Sequence, residues 1–316
     1  MVSIGIDVGG TGIKIGVVSE EGQLLATTSF QTKLEDGWEK QIADMATAAK
    51  ALLFDAGFAD GDVSRIGVGV PGLADQKTGE VVFCTNLGWS HVPFRSEFQK
   101  HWDKSVWIDN DATVAGLAES VAGVSAGTDS SVFLTLGTGV GGGIVIHGRV
   151  WSGFHGTGSE IGHMILQADG VPCTCGNRGC IERYCSATAI IRMAKEELPN
   201  YPNSLVNAKC NNDPEAVNAK MVIDAAREKD PLGMLVFDRY IRFLGQAVAS
   251  IMNFLDPEVI VLGGGVSRAG DFLLDAVRES ASHYVLFKGM PYSRVELARL
   301  GADAGMIGAA MLDGEG

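Results

Sequence analysis

Ile4-Gly-Ile6-Asp7-Val8-Gly9-Gly10-Thr11-Gly12-Ile13-Lys14-Ile15-Gly16-Val17-Val18 is an alternating apolar run, a glycine turn and a second alternating apolar run. That order predicts a β-hairpin. A dinucleotide fingerprint or a P-loop would need a helix directly after the glycines, and a P-loop would also need Gly-Lys-Ser or Gly-Lys-Thr, which the stretch lacks. Both are rejected. A tip rich in glycine and threonine can still offer backbone N–H groups and a hydroxyl to a polyphosphate, with Asp7 placed to hold Mg2+ directly or through its waters. A hairpin turn without a ligand explains this stretch equally when it is taken alone.

The design recurs. Val132-Phe-Leu-Thr-Leu136 runs into Gly137-Thr138-Gly139-Val140-Gly141-Gly142-Gly143 and out through Ile144-Val-Ile146. Two such units about half a chain apart point to two related α/β halves, each giving a phosphate-facing hairpin to a cleft between them. A third cluster, Gly263-Gly264-Gly265, follows Val259-Ile-Val-Leu262 and precedes a helix-like stretch. Backbone there can pass close to a nucleotide base or ribose, although a tight strand-to-helix turn accounts for it as well. Apolar residues Leu232, Leu235, Val236, Tyr240, Phe243, Leu244, Val248, Ile251, Met252 and Leu255 recur at three-to-four spacing. Residues 231–255 are therefore expected as one helix, stopped by Asp256-Pro257. Helical patterns also fill 38–56 and 221–228, and the alternation of strands and helices is that of an α/β protein.

At 316 residues and 46% hydrophobic content, the chain is expected to form two domains. No apolar run reaches the ~20 residues of a membrane helix, and the formal charge of -13 argues against nucleic acid or an anionic membrane as partner. Forty-two glycines exceed the usual ~7% and are expected at strand ends, where turns and close ligand approach need a missing side chain. The sequence opens on strand-like Val2-Ser-Ile-Gly-Ile6 without a signal-peptide pattern, so a cytoplasmic location with reduced thiols is expected.

Three thiols crowd one short loop, Cys173-Thr-Cys175-Gly-Asn-Arg-Gly-Cys180-Ile-Glu182, with His163 upstream. Six cysteines in all would allow a disulfide framework, but Cys84, Cys185 and Cys210 lie apart from the cluster. Thiolate and imidazole donors at this spacing suit tetrahedral zinc. The spacing leaves the fourth ligand open between His163, Cys185 and, more weakly, His155.

Val106-Trp-Ile108-Asp109-Asn110-Asp111-Ala112 reads as a strand feeding a helix. Either aspartate could be only the cap of that helix. Yet strand carboxyl ends in α/β sheets are where ligands sit, and a carboxylate there can orient a hydroxyl and accept its proton. Pro71-Gly72, Thr85-Asn86-Leu-Gly-Trp89 and Ser159-Glu160-Ile-Gly-His163 add amides, carboxylates and an imidazole near glycine turns. Singly each is an ordinary polar loop; together they suit a small polyhydroxy substrate.

These motifs resemble the ROK family of sugar kinases and repressors, and within it the bacterial glucokinases. The resemblance covers essentially the whole chain. It rests on Asp7-Val-Gly-Gly-Thr11, Asn110-Asp111-Ala112, Leu136-Gly-Thr-Gly139, Glu160-Ile-Gly-His163 and the cysteine loop through Glu182. It implies two actin-like, ribonuclease H-like α/β domains closing a cleft around ATP and a hexose, with residues 1–111 plus about 300–316 in the smaller and 112–299 in the larger. Asp111 is then the base acting on the sugar 6-hydroxyl. Gly72, Asn86, Asn110, Glu160, His163 and Glu182 hold the sugar. Asp7, Gly9, Gly10, Thr11, Lys14, Thr138, Gly139, Gly263, Gly264 and Gly265 serve MgATP. Zn2+ falls to His163, Cys173, Cys175 and Cys180, which leaves Cys185 a packed thiol. A homodimer is also implied.

The resemblance predicts an ATP-dependent glucokinase. Other hexoses or N-acetylhexosamines, and polyphosphate as donor, fit the same motifs. A sugar-sensing repressor would need a DNA-binding segment before the first strand, which the chain as read has no room for. An actin-like ATPase would have no use for the cysteine loop.

Overall fold

The opening alternation forms β1 (Val2–Val8) and β2 (Gly12–Ser19), paired antiparallel with Asp7 opposite Lys14 and Val8 opposite Ile13. Only Gly9, Gly10 and Thr11 are left for the tip. In the computed structural model, which describes residues 1–313, β3 (Leu24–Gln31) continues the antiparallel run and α1 (Gly37–Asp55) follows. Next come β4 (Val63–Val70), a small meander of β5 (Leu73–Asp75), β6 (Glu80–Cys84) and β7 (Trp89–Val92), and then α2 (Phe94–His101), β8 (Val106–Asn110) and α3 (Asp111–Ala122). The second glycine turn joins β9 (Ser130–Leu136) to β10 (Val140–Ile146), and β11 (Arg149–Val150) closes that run.

The remaining elements are mostly helical. They are α4 (Glu182–Cys185), α5 (Ala187–Glu197), α6 (Leu205–Lys209), α7 (Ala219–Arg227) and α8 (Pro231–Leu255). β12 (Val259–Gly263), α9 (Gly264–Ser267), α10 (Asp271–Ser282), β13 (Arg294–Leu297) and α11 (Ala304–Ala310) complete the chain. The fold is α/β with mixed sheets, the class expected from the alternation. One sheet has the order β3-β2-β1-β4-β8, antiparallel among β1 to β3 and parallel from β1 through β4 to β8. The other has the order β11-β10-β9-β12-β13.

Two compact units result. The first comprises Met1–Phe133, Gly143–Ser159 and the segment from Ala298; the second comprises Leu134–Gly142 and Glu160–Leu297. The division passes through β9 and β10.

In the first unit β1 is buried along nearly its whole length, because helices cover the sheet. Ile42, Met45, Ala46, Ala49 and Leu53 of α1 join Ile4, Ile6, Ile13 and Ile15 in one core. α11 reaches the sheet through a row of glycines that the strand-end expectation did not foresee. Gly16, Gly5 and Gly67 are register partners across β2, β1 and β4. A Cβ on Gly5 would lie 1.8 Å from the Met306 carbonyl oxygen, and one on Gly67 1.7 Å from that of Ala309. These glycines let helix backbone rest directly on strand backbone.

In the second unit α8 spans the residues its periodicity predicts. Asp230 caps it by accepting from Gly233 N–H, Pro231 occupies its first turn, and Asp256 ends it in the left-handed conformation at φ 47°. The Leu232, Val236, Tyr240, Leu244, Val248 and Ile251 stripe is buried, with α7, α10 and α5 packed on the helix. Among the described residues no helix is long and apolar enough to cross a membrane.

Candidate active site

In the first unit β8 delivers Asp109-Asn110-Asp111 to the start of α3. The cap is Asn110, not either aspartate: its Oδ1 accepts from Ala112 N–H at 2.8 Å and Thr113 N–H at 3.3 Å. Its Nδ2 donates to the Gly72 carbonyl at 2.9 Å, which ties the strand end to the turn after β4. Gly72 is held at φ 102°, and a Cβ there would lie 2.3 Å from the Phe83 carbonyl oxygen. Asp111 also accepts from Ala112 N–H at 2.8 Å, and its carboxylate is exposed.

Asp109 points the other way. It is 3% exposed, accepting from its neighbour Asn110 N–H at 2.7 Å, from the Gln76 amide, and from the Ser152 hydroxyl at 3.4 Å. Burial pushes its carboxyl up to about 6, against the pull of those donors. The sequence left Asp109 only as a candidate cap, and that role falls to Asn110. A carboxylate directly after the apolar Val106-Trp-Ile108 run was the available signal, since it had to be either buried with partners or turned out.

The first hairpin tip is close by in the same unit. A Cβ on Gly10 would lie 3.3 Å from Asn86 Cβ, so tip and Asn86 are neighbours. The Thr32 hydroxyl donates to the Gly9 carbonyl at 2.6 Å, and Thr32 N–H to that of Thr11 at 3.3 Å. Asp7 is half-buried, and desolvation raises its pKa while Lys14, with Nζ 3.9 Å away, lowers it. Lys14 also donates to the Ala302 carbonyl at 3.1 Å. A Cβ on Gly305 would sit 2.5 Å from Asp7 Cγ, so α11 closes on this carboxylate.

In the second unit the turn between β9 and β10 meets α4. Val140 N–H donates to Glu182 Oε2 at 3.1 Å. A Cβ on Gly139 would fall 2.2 Å from that oxygen, so Gly139 is glycine to admit Glu182 whether or not a phosphate is bound. Gly264, at φ 84°, packs on the end of β9, where a Cβ would lie 2.6 Å from Leu136 N. Gly263 ends β12 and is buried, while nothing lies within 4 Å of a Cβ on Gly265.

His163, Cys173, Cys175 and Cys180 come together with donor atoms within 4.8 Å of one another. The loop is folded by its own backbone: Cys173 N–H donates to Asn177 O, Gly179 N–H to Val171 O and Ile181 N–H to Met164 O, all at 2.8 or 2.9 Å. Cys173 Sγ is 3.7 Å from His163 Nδ1, and Cys175 Sγ is 3.6 Å from Cys180 Sγ. A tetrahedron with Zn–S bonds of about 2.3 Å has edges of about 3.8 Å, so the donor set fits that ion. Burial, with the neighbouring thiols adding to it, pushes Cys180 up to about 12. A coordinated cation reverses that by deprotonating its thiols. Cys185 is fully buried outside the cluster, its thiol raised by desolvation, and its carbonyl accepts from Tyr240 Oη at 3.0 Å. His163 Nε2 lies 4.0 Å from Glu160 Oε2, and Glu182 Oε1 4.0 Å from Cys173 Sγ. The second unit thus gathers Glu160, His163, Glu182 and the Thr138-Gly139 turn around one loop.

The sequence model of the ROK family matches residues 3–315. Glucokinase from Thermotoga maritima is 38% identical over 311 residues, covering 98% of this chain and 96% of that one. A ROK family glucokinase from Streptomyces griseus, solved in complex with glucose and AMPPNP, superposes with a TM-score of 0.83 at 34% identity over the whole of both chains. A ROK hexokinase from Thermus thermophilus gives 0.84 at 32% identity, over 98% of this chain and 97% of that one.

Proposed function

The chain belongs to the ROK family, and we propose that it is an ATP-dependent hexose kinase transferring the γ-phosphoryl group to the 6-hydroxyl of glucose. The observation that carries the proposal is the capping of α3 by Asn110. With the Ala112 and Thr113 N–H groups served by the residue before it, Asp111 is not needed as the cap and, while also accepting from Ala112 N–H, presents an exposed carboxylate at the end of β8.

In this reading Asp111 accepts the proton of the sugar 6-hydroxyl as its oxygen bonds to the γ-phosphorus, and the bond from that phosphorus to the β–γ bridging oxygen breaks to release ADP. Asn110 has one amide N–H committed to Gly72, which leaves it one donor for a sugar hydroxyl. Gly72 acts through its carbonyl, by orienting Asn110. Asn86, Glu160, His163 and Glu182 are assigned to the other hydroxyls. Asp7 would hold Mg2+, which neutralises charge on the β- and γ-phosphates. Lys14 and the backbone of Gly9, Gly10, Thr11, Thr138 and Gly139 are assigned to the phosphates, and Gly263, Gly264 and Gly265 to the nucleoside. Cys173, Cys175, Cys180 and His163 through Nδ1 would hold Zn2+, leaving His163 Nε2 for Glu160 and the sugar.

The test is steady-state ADP release with ATP or polyphosphate against glucose, mannose, fructose, allose and N-acetylmannosamine. Highest kcat/KM with ATP and glucose supports the proposal, while sugar-independent release or none overturns it. Asp111→Ala should lower kcat by about 100-fold or more with metal content unchanged, and substantial residual turnover would remove Asp111 from its role.

A further inference from the structure

The Gly137-Val140 turn is gripped from outside by the helices that follow the cysteine loop. Gly137 N–H closes the turn on the Gly139 carbonyl at 3.0 Å. The two other carbonyls of the turn are held by α5: Ala187 N–H donates to the Gly137 oxygen at 2.8 Å, and the Thr188 hydroxyl donates to the Thr138 oxygen at 2.7 Å. Glu182 of α4 takes Val140 N–H.

A trans peptide points its carbonyl and the next residue's N–H in opposite directions. Fixing the Gly137 oxygen therefore aims the Thr138 N–H away from α5, and fixing the Thr138 oxygen does the same for the Gly139 N–H. The second peptide needs the restraint most. Both peptides are flanked by glycine, whose backbone turns over at little steric cost, but the first is held by a backbone N–H, whereas among the described residues the second is held on this side by the hydroxyl of an exposed side chain. The first hairpin in the other unit uses the same device, Thr32 Oγ1 on the Gly9 oxygen at 2.6 Å.

We infer that Thr188 is a positioning residue for the nucleotide: by holding the Thr138 carbonyl it keeps the Thr138–Gly139 peptide from turning over and its N–H directed at the phosphates. The inference rests on the assignment of this turn to ATP. Thr188 touches no reacting atom, so its loss weakens the hold on ATP and leaves the chemistry and the sugar in place.

The experiment compares wild type, Thr188→Val and Thr188→Ser by steady-state kinetics and by calorimetric binding of Mg-AMPPNP. Losing one such hydrogen bond corresponds to about a fivefold effect. Thr188→Val should raise the ATP KM and the AMPPNP Kd about fivefold, with kcat and glucose KM within about twofold of wild type. Thr188→Ser, which keeps the hydroxyl, should restore both. An unchanged AMPPNP Kd in Thr188→Val, or a serine variant as weak as the valine one, overturns the inference. So does a parallel loss of kcat, glucose KM and thermal stability, which would mark a merely structural contact. A wild type that binds AMPPNP but phosphorylates no sugar would instead defeat the functional proposal, with the binding comparison still deciding the role of Thr188.

Discussion

Replacing Asp109 by asparagine should make the first unit more stable at neutral pH, the reverse of what removing a buried, fully hydrogen-bonded side chain usually does. Burial raises the folded-state pKa of Asp109 from 3.8 to about 6. At 1.36 kcal/mol per unit, the ionised carboxylate costs the fold about 3 kcal/mol relative to its protonated form. The folded state holds this proton more tightly than the unfolded chain does, so stability falls as pH rises from about 4 to about 6, and the cost is complete above about pH 7. Asparagine copies the protonated acid: its oxygen can keep Asn110 N–H, while the Gln76 amide and the Ser152 hydroxyl can each accept as well as donate. Asp109→Asn should therefore gain about 3 kcal/mol at pH 8 and about half of that at pH 5. Urea unfolding followed by tryptophan fluorescence measures this directly, because all five tryptophans, Trp38, Trp89, Trp102, Trp107 and Trp151, lie in the first unit. A variant less stable than wild type at pH 8, or shifted equally at both pH values, would refute the reasoning.

Three other perturbations bear on different parts of the molecule. Gly67→Ala drives a methyl group into the Ala309 carbonyl, where 1.7 Å is available, and should destabilise the first unit by about 3 kcal/mol or more by tryptophan-detected unfolding; a cost below about 1 kcal/mol would show that α11 is not seated on the glycine row. Glu119 is fully buried and its carboxylate accepts from Val124, Arg299 and Leu300 N–H at 2.8 to 2.9 Å. Glu119→Ala strands those three donors and should cost about 3 kcal/mol or more in the same assay, whereas a near-neutral result would mean that water replaces the carboxylate. On the zinc assignment proposed above, treatment with a chelator should raise glucose KM as well as lower the melting temperature, since Cys173 sits between His163 Nδ1 and Glu182 Oε1; a stripped, folded enzyme with unchanged glucose KM would make the metal only a staple.

What the sequence disclosed and what it hid divide along a physical line. The two glycine hairpins, the helix at 231–255 and the crowding of three thiols with a histidine are local patterns, set by period, turn chemistry and donor spacing within a few tens of residues. They were legible for that reason. The partners of Asp109 come from Gln76 and Ser152, 33 and 43 residues away, and no local pattern announces them. Glycine composition was legible in amount but misread in part. Gly5, Gly16 and Gly67 are ordinary strand positions until α11, at the far end of the chain, is laid across them.

The cap of α3 is the sharpest case, because Asp-Asn-Asp offers three residues in a row that can each cap a helix. Which of them does so is decided by the backbone at the strand end, where Asn110 takes an extended conformation at φ -63° and ψ 145° and its side chain turns onto the N–H groups of Ala112 and Thr113. That choice divides the two flanking aspartates. Asp109 is drawn into the unit to meet Gln76 and Ser152, while Asp111, the first helical residue, is turned outward. The same three residues thus supply a buried carboxylate whose charge works against stability, a cap, and the exposed carboxylate proposed above as the base.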